Sequence, residues 1–393
     1  MSPVDVLVIG SGFGGAVSAL RLAEKGYRVT VLEAGPRRTE ETLPKTSWDV
    51  RNFLWAPRLG CYGIQRIHLL RDVVILGGAG VGGGSLNYAN TLYEPPAPFF
   101  EDPQWAHITD WRTELKPHYD QARRMLGVTR NPTVTAADEV LREVATDMGV
   151  GSSFRLTPVG VFFGDERTPA GSVVPDPYFG GAGPERRTCT ECGSCMTGCR
   201  VGAKNTLDRN YLHLAERLGA EVVPMTTVLD VRPAPDGGYV VRTVRTGSSP
   251  RRRKNVRTFT AREVVFSAGT YNTQKLLHRA RATGALPRLS ASLGRLTRTN
   301  SESILGAKRS GRTPTSPGAS RSPRRSTPTR TPTSSRAATA RAATPCRCCR
   351  PRSPTAGNAS RAGSPGWARW CGIPATSRGS RRGAGPSARS SCW

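Results

Sequence analysis

The first 33 residues constrain the fold most strongly, because they follow the order strand, glycine turn, helix, strand. Val4 to Ile9 form a short apolar run, and the turn Gly10 to Gly15 follows it. Apolar residues then recur at helical spacing up to Gly26. A second apolar run, Val29 to Leu32, ends at Glu33. This order predicts a β-α-β unit and therefore an α/β fold with parallel strands.

The turn has the form G-x-G-x-x-G, and each glycine meets a steric requirement. Gly10 permits the tight turn, Gly12 lets the backbone approach a pyrophosphate, and Gly15 lets the helix pack closely on the strand. The N-terminus of the helix presents N–H groups to phosphate. Glu33 follows Gly12 by 21 residues, where a carboxylate can accept hydrogen bonds from a ribose diol. The combination predicts a dinucleotide site rather than a simple glycine-rich turn.

A second glycine cluster occupies residues 77–84, where six of eight residues are glycine. Such a segment loses much conformational entropy on folding, which is a poor choice for a mere connection. The alternative is a flexible linker, but Ser85, Asn87 and Asn90 follow within a defined Ser-Leu-Asn-Tyr-Ala-Asn stretch. Close backbone approach to a flat ring or a diphosphate explains the cluster better. Two such contacts favour FAD over a nicotinamide cofactor.

Further periodic segments predict the remaining elements. Helices are expected at 111–126, at 135–148 with a capping box of Thr135 and Asp138, and at 207–218. Strands are expected at 221–225, 228–232 and 239–244, with a hairpin turn at Asp236-Gly237. A buried strand beginning at Val264 ends in the small residues Ala268 and Gly269, which let backbone approach a cofactor.

These segments together resemble the glucose-methanol-choline (GMC) oxidoreductases, and within them the actinobacterial cholesterol oxidase branch. The resemblance extends over residues 1 to about 307 and includes the stretches starting at Lys45, Phe53 and Leu296. It implies a Rossmann-like, doubly wound FAD-binding domain made of residues 1–44 and 219–307. Residues 45–218 are then expected to form a partial α+β substrate region.

The resemblance also implies roles for single residues. The implied FAD contacts are Gly10, Gly12, Gly15 and Glu33 for the ADP half, Gly80, Gly84, Ser85, Asn87 and Asn90 for the pyrophosphate and flavin, and Val228, through its backbone, for the adenine. The implied reaction oxidises a sterol 3β-hydroxyl to the ketone, with O2 reduced to H2O2. In the family a 5-ene to 4-ene isomerisation follows. Alternatives are a GMC dehydrogenase acting on another alcohol, and a non-catalytic FAD-binding remnant.

No catalytic residue is assigned. In the resembled family the catalytic His and its Asn or His partner come from the C-terminal part, which has no counterpart here. His213 and His278 lie on expected helices and are interpreted as surface or packing residues.

Four cysteines, Cys189, Cys192, Cys195 and Cys199, have the spacing C-x2-C-x2-C-x3-C. This spacing matches a run that supplies thiolates to an iron–sulfur cluster, although Arg200 replaces the proline usual after the fourth cysteine. A tetrahedral zinc site is a second interpretation. The third is a glycine-rich loop of reduced cysteines that binds nothing.

Residues 308–393 have a different composition from the rest of the chain. They hold 18 of the 57 Lys and Arg residues and no Asp, Glu, His, Leu, Val or Tyr. Too little apolar area is present to offset chain entropy, so the segment is expected to be disordered. It has three interpretations: a nucleic-acid arm that binds by charge, a polar linker, and the product of a frameshift in GC-rich DNA.

Back-translation favours the frameshift. Residues 324–330, read one nucleotide earlier with GC-rich codons, can decode to Ser-Ser-Ile-His-Pro-Asp-Ala, and residues 346–350 can decode to Met-Ser-Leu-Leu-Gln. Both resemble the continuation of the family. The chain is accordingly expected to have impaired activity, and the Arg-rich stretch at 249–254 is interpreted as a solvated turn.

The expected location is the cytoplasm, because the N-terminus lacks a basic leader and no apolar run approaches the ~18 residues of a spanning helix. Expected partners are a sterol or another alcohol and O2, with peripheral membrane contact to reach a sterol. No specific nucleic-acid binding is expected.

Overall fold

A computed structural model describes residues 4–248, 255–297 and 300. Seven α-helices form in these residues: α1 (Phe13–Glu24), α2 (Val50–Phe53), α3 (Ala97–Phe100), α4 (Trp111–Met125), α5 (Ala136–Asp147), α6 (Tyr211–Arg217) and α7 (Thr270–Ala282). Residues 249–254 and the segment 308–393, for which a turn and disorder were predicted, lie outside the described residues.

The same part of the chain contains fourteen strands. They are β1 (Val4–Ile9), β2 (Val29–Leu32), β3 (Trp55–Ala56), β4 (Cys61–Tyr62), β5 (Gln65–Leu69), β6 (Val74–Gly78), β7 (Thr129–Arg130), β8 (Pro158–Val159), β9 (Val173–Val174), β10 (Arg186–Arg187), β11 (Glu221–Val223), β12 (Thr226–Pro233), β13 (Tyr239–Arg245) and β14 (Val256–Phe266).

A six-stranded sheet in the order β11-β2-β1-β14-β13-β12 forms the centre of the structure. Strands β11, β2, β1 and β14 are parallel, and β14, β13 and β12 form an antiparallel meander. The carboxyl ends of β1, β2 and β14 therefore meet at one edge, where loops of an α/β sheet bind ligands. The predicted α/β class is confirmed.

Both faces of strand β1 are covered, which explains its continuous apolar sequence. Val6 and Val8 belong to a core cluster that also contains Leu20 of α1 and Leu212 of α6. The alternate residues of β1 pack on the other face, in a cluster formed with the meander strands and partly with α7. The sheet is thus a middle layer that fixes the position of the turn after β1.

Helix boundaries follow the predictions with one difference. The capping box of Thr135 and Asp138 is present at the start of α5. The helix expected at 207–218 is instead a short 3-10 turn followed by α6, which begins only at Tyr211. The break occurs at Asn210, whose backbone (φ −131°, ψ −94°) is not helical and whose side chain caps the Tyr211 N–H.

The strands of the central sheet fall within 4–32 and 221–266, inside the ranges expected for the cofactor domain. The domain boundaries themselves stay a prediction. A separate hairpin, β5–β6, carries Ile67, Leu69, Val74 and Leu76 on one exposed face, with Ile67 paired to Leu76 and Leu69 to Val74.

Replacing Leu7 by alanine should destabilise the fold strongly. Leu7 is fully buried on the meander face of β1, so the substitution removes buried methyl groups and leaves a cavity. We expect the free energy of unfolding to fall by about 2–5 kcal/mol in urea titrations followed by circular dichroism. The control Leu69→Ala, at a side chain that is 77% exposed, should change it by less than about 0.5 kcal/mol. Equal effects of the two variants would contradict the assigned core.

Candidate functional site

The glycine turn after β1 is packed too tightly for side chains at two positions. Gly10 has φ +102°, and a Cβ there would lie 2.5 Å from the Ser267 carbonyl oxygen. A Cβ on Gly15 would lie 1.9 Å from the Gly10 carbonyl oxygen. The turn therefore packs against both the end of β14 and the start of α1, as the G-x-G-x-x-G pattern predicts.

The second glycine cluster packs directly on the first. A Cβ on Gly83 would lie 2.7 Å from the Gly12 Cα, and one on Gly35 would lie 2.1 Å from the Gly80 nitrogen. Gly82 has φ +103°, a conformation that a side chain would strain. Three backbone segments, distant in sequence, thus meet at the carboxyl ends of β1 and β2.

The carboxylate of Glu33 holds these three segments together. Its Oε2 accepts hydrogen bonds from the Ser11 N–H (3.1 Å) and the Ser11 hydroxyl (2.7 Å). Its Oε1 accepts from the N–H groups of Gly35 (2.8 Å) and Gly80 (3.3 Å). Glu33 is only 6% exposed, and its negative charge opposes the lowering of the Arg66 pKa that burial causes. All four acceptor positions of the Glu33 carboxylate have hydrogen-bond partners from the chain itself. The bond from Glu33 to a ribose therefore stays a prediction.

Two polar side chains fix the second glycine cluster. The buried Ser85 hydroxyl donates to the Gly82 carbonyl (2.7 Å) and accepts from the Leu207 N–H (3.0 Å). The Asn87 amide donates to the Gln65 side chain (2.8 Å) and to the carbonyls of Gly77 and Ile64. These side chains shape the loop, so any cofactor contact here is made mainly by backbone.

Open space is found beside three of the predicted cofactor glycines. A Cβ on Gly12, Gly84 or Gly269 would meet no atom of the described residues within 4 Å. Gly12 also lies at the N-terminus of α1, where backbone N–H groups and the helix dipole favour an anion. The residues present thus fit a dinucleotide with its pyrophosphate at the turn.

The remaining predicted contacts lie on the same sheet. Val228 lies in β12 beside a β-bulge, where the register shifts between Val228 and Asp230. The Ala268 N–H donates to the Thr273 hydroxyl (3.1 Å), and its carbonyl accepts from Asn272 (3.2 Å). Their roles toward a cofactor stay predictions.

A buried lysine, which the sequence analysis did not single out, connects two loops. Lys204 is 1% exposed, and its Nζ donates to the carbonyls of Leu86 (3.0 Å), Tyr88 (3.2 Å) and Cys195 (2.8 Å). Burial lowers the pKa of Lys204 to about 8. The second glycine cluster is therefore joined to the cysteine loop. In the sequence, the only sign that Lys204 is buried is its position in the small-residue stretch Val-Gly-Ala-Lys-Asn.

The four predicted cysteines all line one cavity of about 60 Å³, together with Asn90. The Asn90 Oδ1 atom is buried and has no hydrogen-bond partner within the part of the chain that the structure describes. Burial raises the pKa of the Cys189 thiol to about 11. Within residues 4–248, 255–297 and 300, no three His, Cys, Asp or Glu side chains are grouped so as to hold a metal ion. The single-ion zinc interpretation therefore lacks support there.

No histidine among the described residues is assigned as a catalytic base. His213 lies in α6 and His278 in α7, both partly buried, in line with the packing interpretation. His68 stacks on Tyr271 with ring centroids 4.1 Å apart. Burial lowers the pKa of His68, and the Arg66 charge lowers it further. Among the described helices, none is long and apolar enough to cross a bilayer.

Two family models match the chain. One, described as FAD dependent oxidoreductase, matches residues 5–48, which contain the glycine turn and Glu33. The other, described as GMC oxidoreductase, matches residues 184–292, which contain the cysteine loop and the meander.

Curated relatives match much of the chain. A cholesterol oxidase of Mycobacterium tuberculosis is 67% identical over 304 residues, 77% of this chain and 52% of the relative. A cholesterol oxidase of Acinetobacter baumannii is 47% identical over 309 residues, 77% of this chain and 55% of the relative. The long-chain-alcohol oxidase FAO4B of Arabidopsis thaliana is 27% identical over 56% of this chain and 25% of the relative. The chain thus spans about half the length of the cholesterol oxidases that it matches.

Among solved structures, pyridoxine 4-oxidase from Mesorbium loti aligns with a TM-score of 0.43 and 17% identity, over 70% of this chain and 51% of that chain. A likeness of this size supports no conclusion.

Replacing Glu33 by glutamine should lower the stability of the folded protein. Glutamine has one acceptor oxygen, and its NH2 group would face N–H donors, so buried donors lose their partner. We expect the free energy of unfolding to fall by about 1–3 kcal/mol, measured by urea denaturation. Glu221→Gln, at an exposed position of β11, is the matched control and should have little effect. Unchanged stability of Glu33→Gln would show that the carboxylate does not hold the turn.

Proposed function

We propose that the chain is a GMC oxidoreductase that binds FAD, and that it is the FAD-binding part of an alcohol oxidase of the cholesterol oxidase type. The observation that carries the proposal is the interlock of two glycine clusters around Glu33, with open space left at Gly12 and Gly84. The 67% identity to a cholesterol oxidase over 77% of this chain also supports it.

Backbone groups are assigned to hold the cofactor. The start of α1 at Gly12 receives the pyrophosphate, and the loop with Gly84 and Asn90 approaches the flavin side. Val228 contacts the adenine through its backbone, and the turn at Ala268 and Gly269 approaches the cofactor from β14. Glu33 acts by positioning Ser11 and Gly80.

Held by these residues, FAD would supply the two-electron acceptor for oxidation of an alcohol to a ketone, and the hydride from the carbon together with the hydroxyl proton would account for the two hydrogens of H2O2 formed from O2. The chain's own contribution is to bind and orient the cofactor and to exclude water around it. The substrate class proposed is a sterol 3β-hydroxyl, from the cholesterol oxidases among the relatives. Another apolar alcohol is the alternative substrate, because a long-chain-alcohol oxidase is among the relatives. The electron acceptor decides whether the enzyme acts as an oxidase or as a dehydrogenase.

Contact with a lipid surface is proposed for substrate capture. The exposed apolar face of the β5–β6 hairpin supports it, since Leu69 is 77% and Val74 is 55% exposed. The cytoplasmic location and the absence of specific nucleic-acid binding stay predictions.

Turnover by the chain as written is proposed to be weak. Oxidation of an alcohol needs a positioned base for the hydroxyl proton, worth about 10²–10⁴-fold in rate. Residues 308–393 contain no His, Asp, Glu or Tyr, and about half of each cholesterol oxidase relative has no match in this chain. A non-catalytic FAD-binding polypeptide is therefore the second candidate function.

Replacing Gly12 by alanine should lower FAD affinity without unfolding the protein. The position has φ −70° and free space around its Cβ, so the fold tolerates alanine, while the methyl group enters the space assigned to the pyrophosphate. We expect FAD affinity to fall at least tenfold, or about 1.4 kcal/mol, in fluorescence titrations of the deflavo-protein.

Gly77→Ala provides the comparison for this variant. A Cβ there would lie 3.9 Å from Arg66, an ordinary contact, so affinity should stay within about twofold. Tight binding of NAD with no FAD binding would refute the assigned cofactor, as would equal FAD affinities of the two variants.

H2O2 release from cholesterol should be low for the 393-residue chain reconstituted with FAD. The comparison is the protein expressed from coding DNA whose reading frame is restored after codon 307. This protein should release H2O2 from cholesterol at least about 10²-fold faster. Peroxide is measured with a peroxidase-coupled assay, and bound FAD is quantified in both proteins. Comparable rates would contradict the proposal of impaired catalysis while leaving FAD binding intact.

A further inference from the structure

The four cysteines of the run 189–199 form two pairs with different surroundings. The outer pair, Cys189 and Cys199, is partly buried and packs against the apolar cluster of Val159, Val161 and Ala203. Among the described residues, Cys192 and Cys195 do not belong to that cluster, and Cys192 is exposed to solvent. The outer pair is therefore part of the packing, and the inner pair contains the accessible thiol.

The cavity that these cysteines line fits neither a zinc ion nor an iron–sulfur cluster. All four line the same space of about 60 Å³. Among the residues whose positions the structure describes, however, no three His, Cys, Asp or Glu side chains are grouped so as to hold a metal. Both kinds of centre need four such ligands together. A disulfide, in contrast, needs only two sulfurs.

The chain bends between Cys192 and Cys195. Only Gly193 and Ser194 separate the two cysteines, and the bend is centred on Gly193, which has φ +70°. A disulfide needs Cα atoms about 4.4–6.8 Å apart, whereas three residues of extended chain span about 10 Å. The bend therefore shortens the separation in the way that a bond between these cysteines requires. Cys-x-x-Cys is also the spacing of redox-active dithiols.

A buried cation lies beside Cys195. The Lys204 Nζ donates to the Cys195 carbonyl (2.8 Å), and the whole residue is 1% exposed. Burial lowers the pKa of Lys204 to about 8, and among the charges that oppose this lowering a Cys195 thiolate has the largest effect. Because the attraction between opposite charges is mutual, the ammonium favours the thiolate form of Cys195, which is the nucleophilic form.

The outer cysteines are less suited to attack an oxidant. Burial raises the pKa of the Cys189 thiol to about 11, so it stays protonated near neutral pH. The Cys199 side chain also lies near the Lys204 charge. Its sulfur accepts a hydrogen bond from the Lys204 N–H (3.4 Å) and packs against the apolar cluster, where a polar oxidant has less access.

We propose that Cys192 and Cys195 are a reactive dithiol that hydrogen peroxide converts to a disulfide. The Cys195 thiolate attacks one peroxide oxygen, the O–O bond breaks, and the leaving hydroxide takes up the proton that Cys195 released. The Cys192 thiol then attacks the resulting sulfenic acid. The S–S bond forms, the S–O bond breaks, and the oxygen leaves as water with the Cys192 proton. Two thiols and one H2O2 thus give one disulfide and two waters.

A source of the oxidant within the protein rests on the proposed function, because H2O2 is the product of the proposed oxidation. The reactivity of the dithiol does not rest on it, since added peroxide serves as well. The pair is nevertheless joined to the proposed cofactor site, because Lys204 bonds to the carbonyls of Leu86 and Tyr88 as well as to that of Cys195.

The test uses the full chain without added FAD, reduced and then freed of reductant. About one equivalent of H2O2 is added under argon. Free thiols are blocked with N-ethylmaleimide in denaturant, and disulfides are then reduced and labelled with iodoacetamide. Since the chain has ten cysteines, the labels are located by tandem mass spectrometry in the tryptic peptide 188–200, which contains the run.

We expect the iodoacetamide label on Cys192 and Cys195, and maleimide on Cys189 and Cys199. The folded chain should form this bond at least about tenfold faster than the chain unfolded in urea, because only the folded chain holds Lys204 beside Cys195. This comparison distinguishes a site built by the fold from the ordinary reactivity of cysteines.

Variants assign the two roles. Cys195→Ser should prevent the bond. In Cys192→Ser the attack on peroxide still occurs, so Cys195 should accumulate as a sulfenic acid that dimedone traps. Cys61→Ser, at a partly buried cysteine outside the run, is the matched control and should form the bond at the wild-type rate. Circular dichroism checks the fold of each variant, and where one does not fold, the comparison of folded and unfolded wild-type chain decides.

The proposal is overturned by a bond that forms mainly to Cys189 or Cys199, by equal rates in the folded and the unfolded chain, or by four thiols that all stay free. Bound FAD is measured separately by titration. Formation of the Cys192–Cys195 bond in a chain that binds no FAD would support the dithiol and refute the proposed function, so the two failures are distinguishable.

Discussion

The buried carboxylate of Glu33 is the interaction on which the site depends. It collects four hydrogen bonds from Ser11, Gly35 and Gly80, which lie on three separate segments. Every partner is a donor, so an ionised carboxylate fits where an amide would not. Its charge is tolerated because the bonds are charge-assisted and the Arg66 guanidinium lies nearby. Together with the hydrogen bond from the Gly82 N–H to the Ser11 hydroxyl (3.1 Å), this interaction holds the second glycine cluster against the turn that contains Gly12.

The β-α-β unit could be predicted from the sequence because its determinants are local. Apolar runs of strand length, helical spacing and a glycine turn follow one another within residues 4–33, and each limits the next. The β12–β13 hairpin was equally predictable, since Asp236-Gly237 marks a turn between two apolar runs. The third strand of the meander was only partly predicted, because the strand expected from Val264 begins at Val256 and pairs with β13 through its first half. Family resemblance added residue roles that no local pattern carries, and those toward FAD stay predictions.

Features set by long-range contacts could not be predicted. Lys204 is separated from Leu86 by 118 residues, so no local pattern reveals that its ammonium is buried against that carbonyl. The start of α6 was misplaced because the apolar spacing from Leu207 is helical, whereas the Asn210 side chain caps a later start. The β5–β6 hairpin was overlooked because its apolar residues face outward, which the usual pattern of one buried face does not anticipate.

The cysteine loop and the second glycine cluster are mechanically one unit. The Lys204 ammonium bonds to Cys195 on one side and to Leu86 and Tyr88 on the other. Because a buried donor left without an acceptor costs about 1–3 kcal/mol, neither loop can move away from the lysine without loss. Whatever fixes the cysteine loop therefore also fixes the backbone assigned to the flavin side of the cofactor. A charged residue occupies the interior between the two glycine-rich loops because the carbonyls of Leu86, Tyr88 and Cys195 lie close enough together to share one donor, and an ammonium has three protons to donate to them.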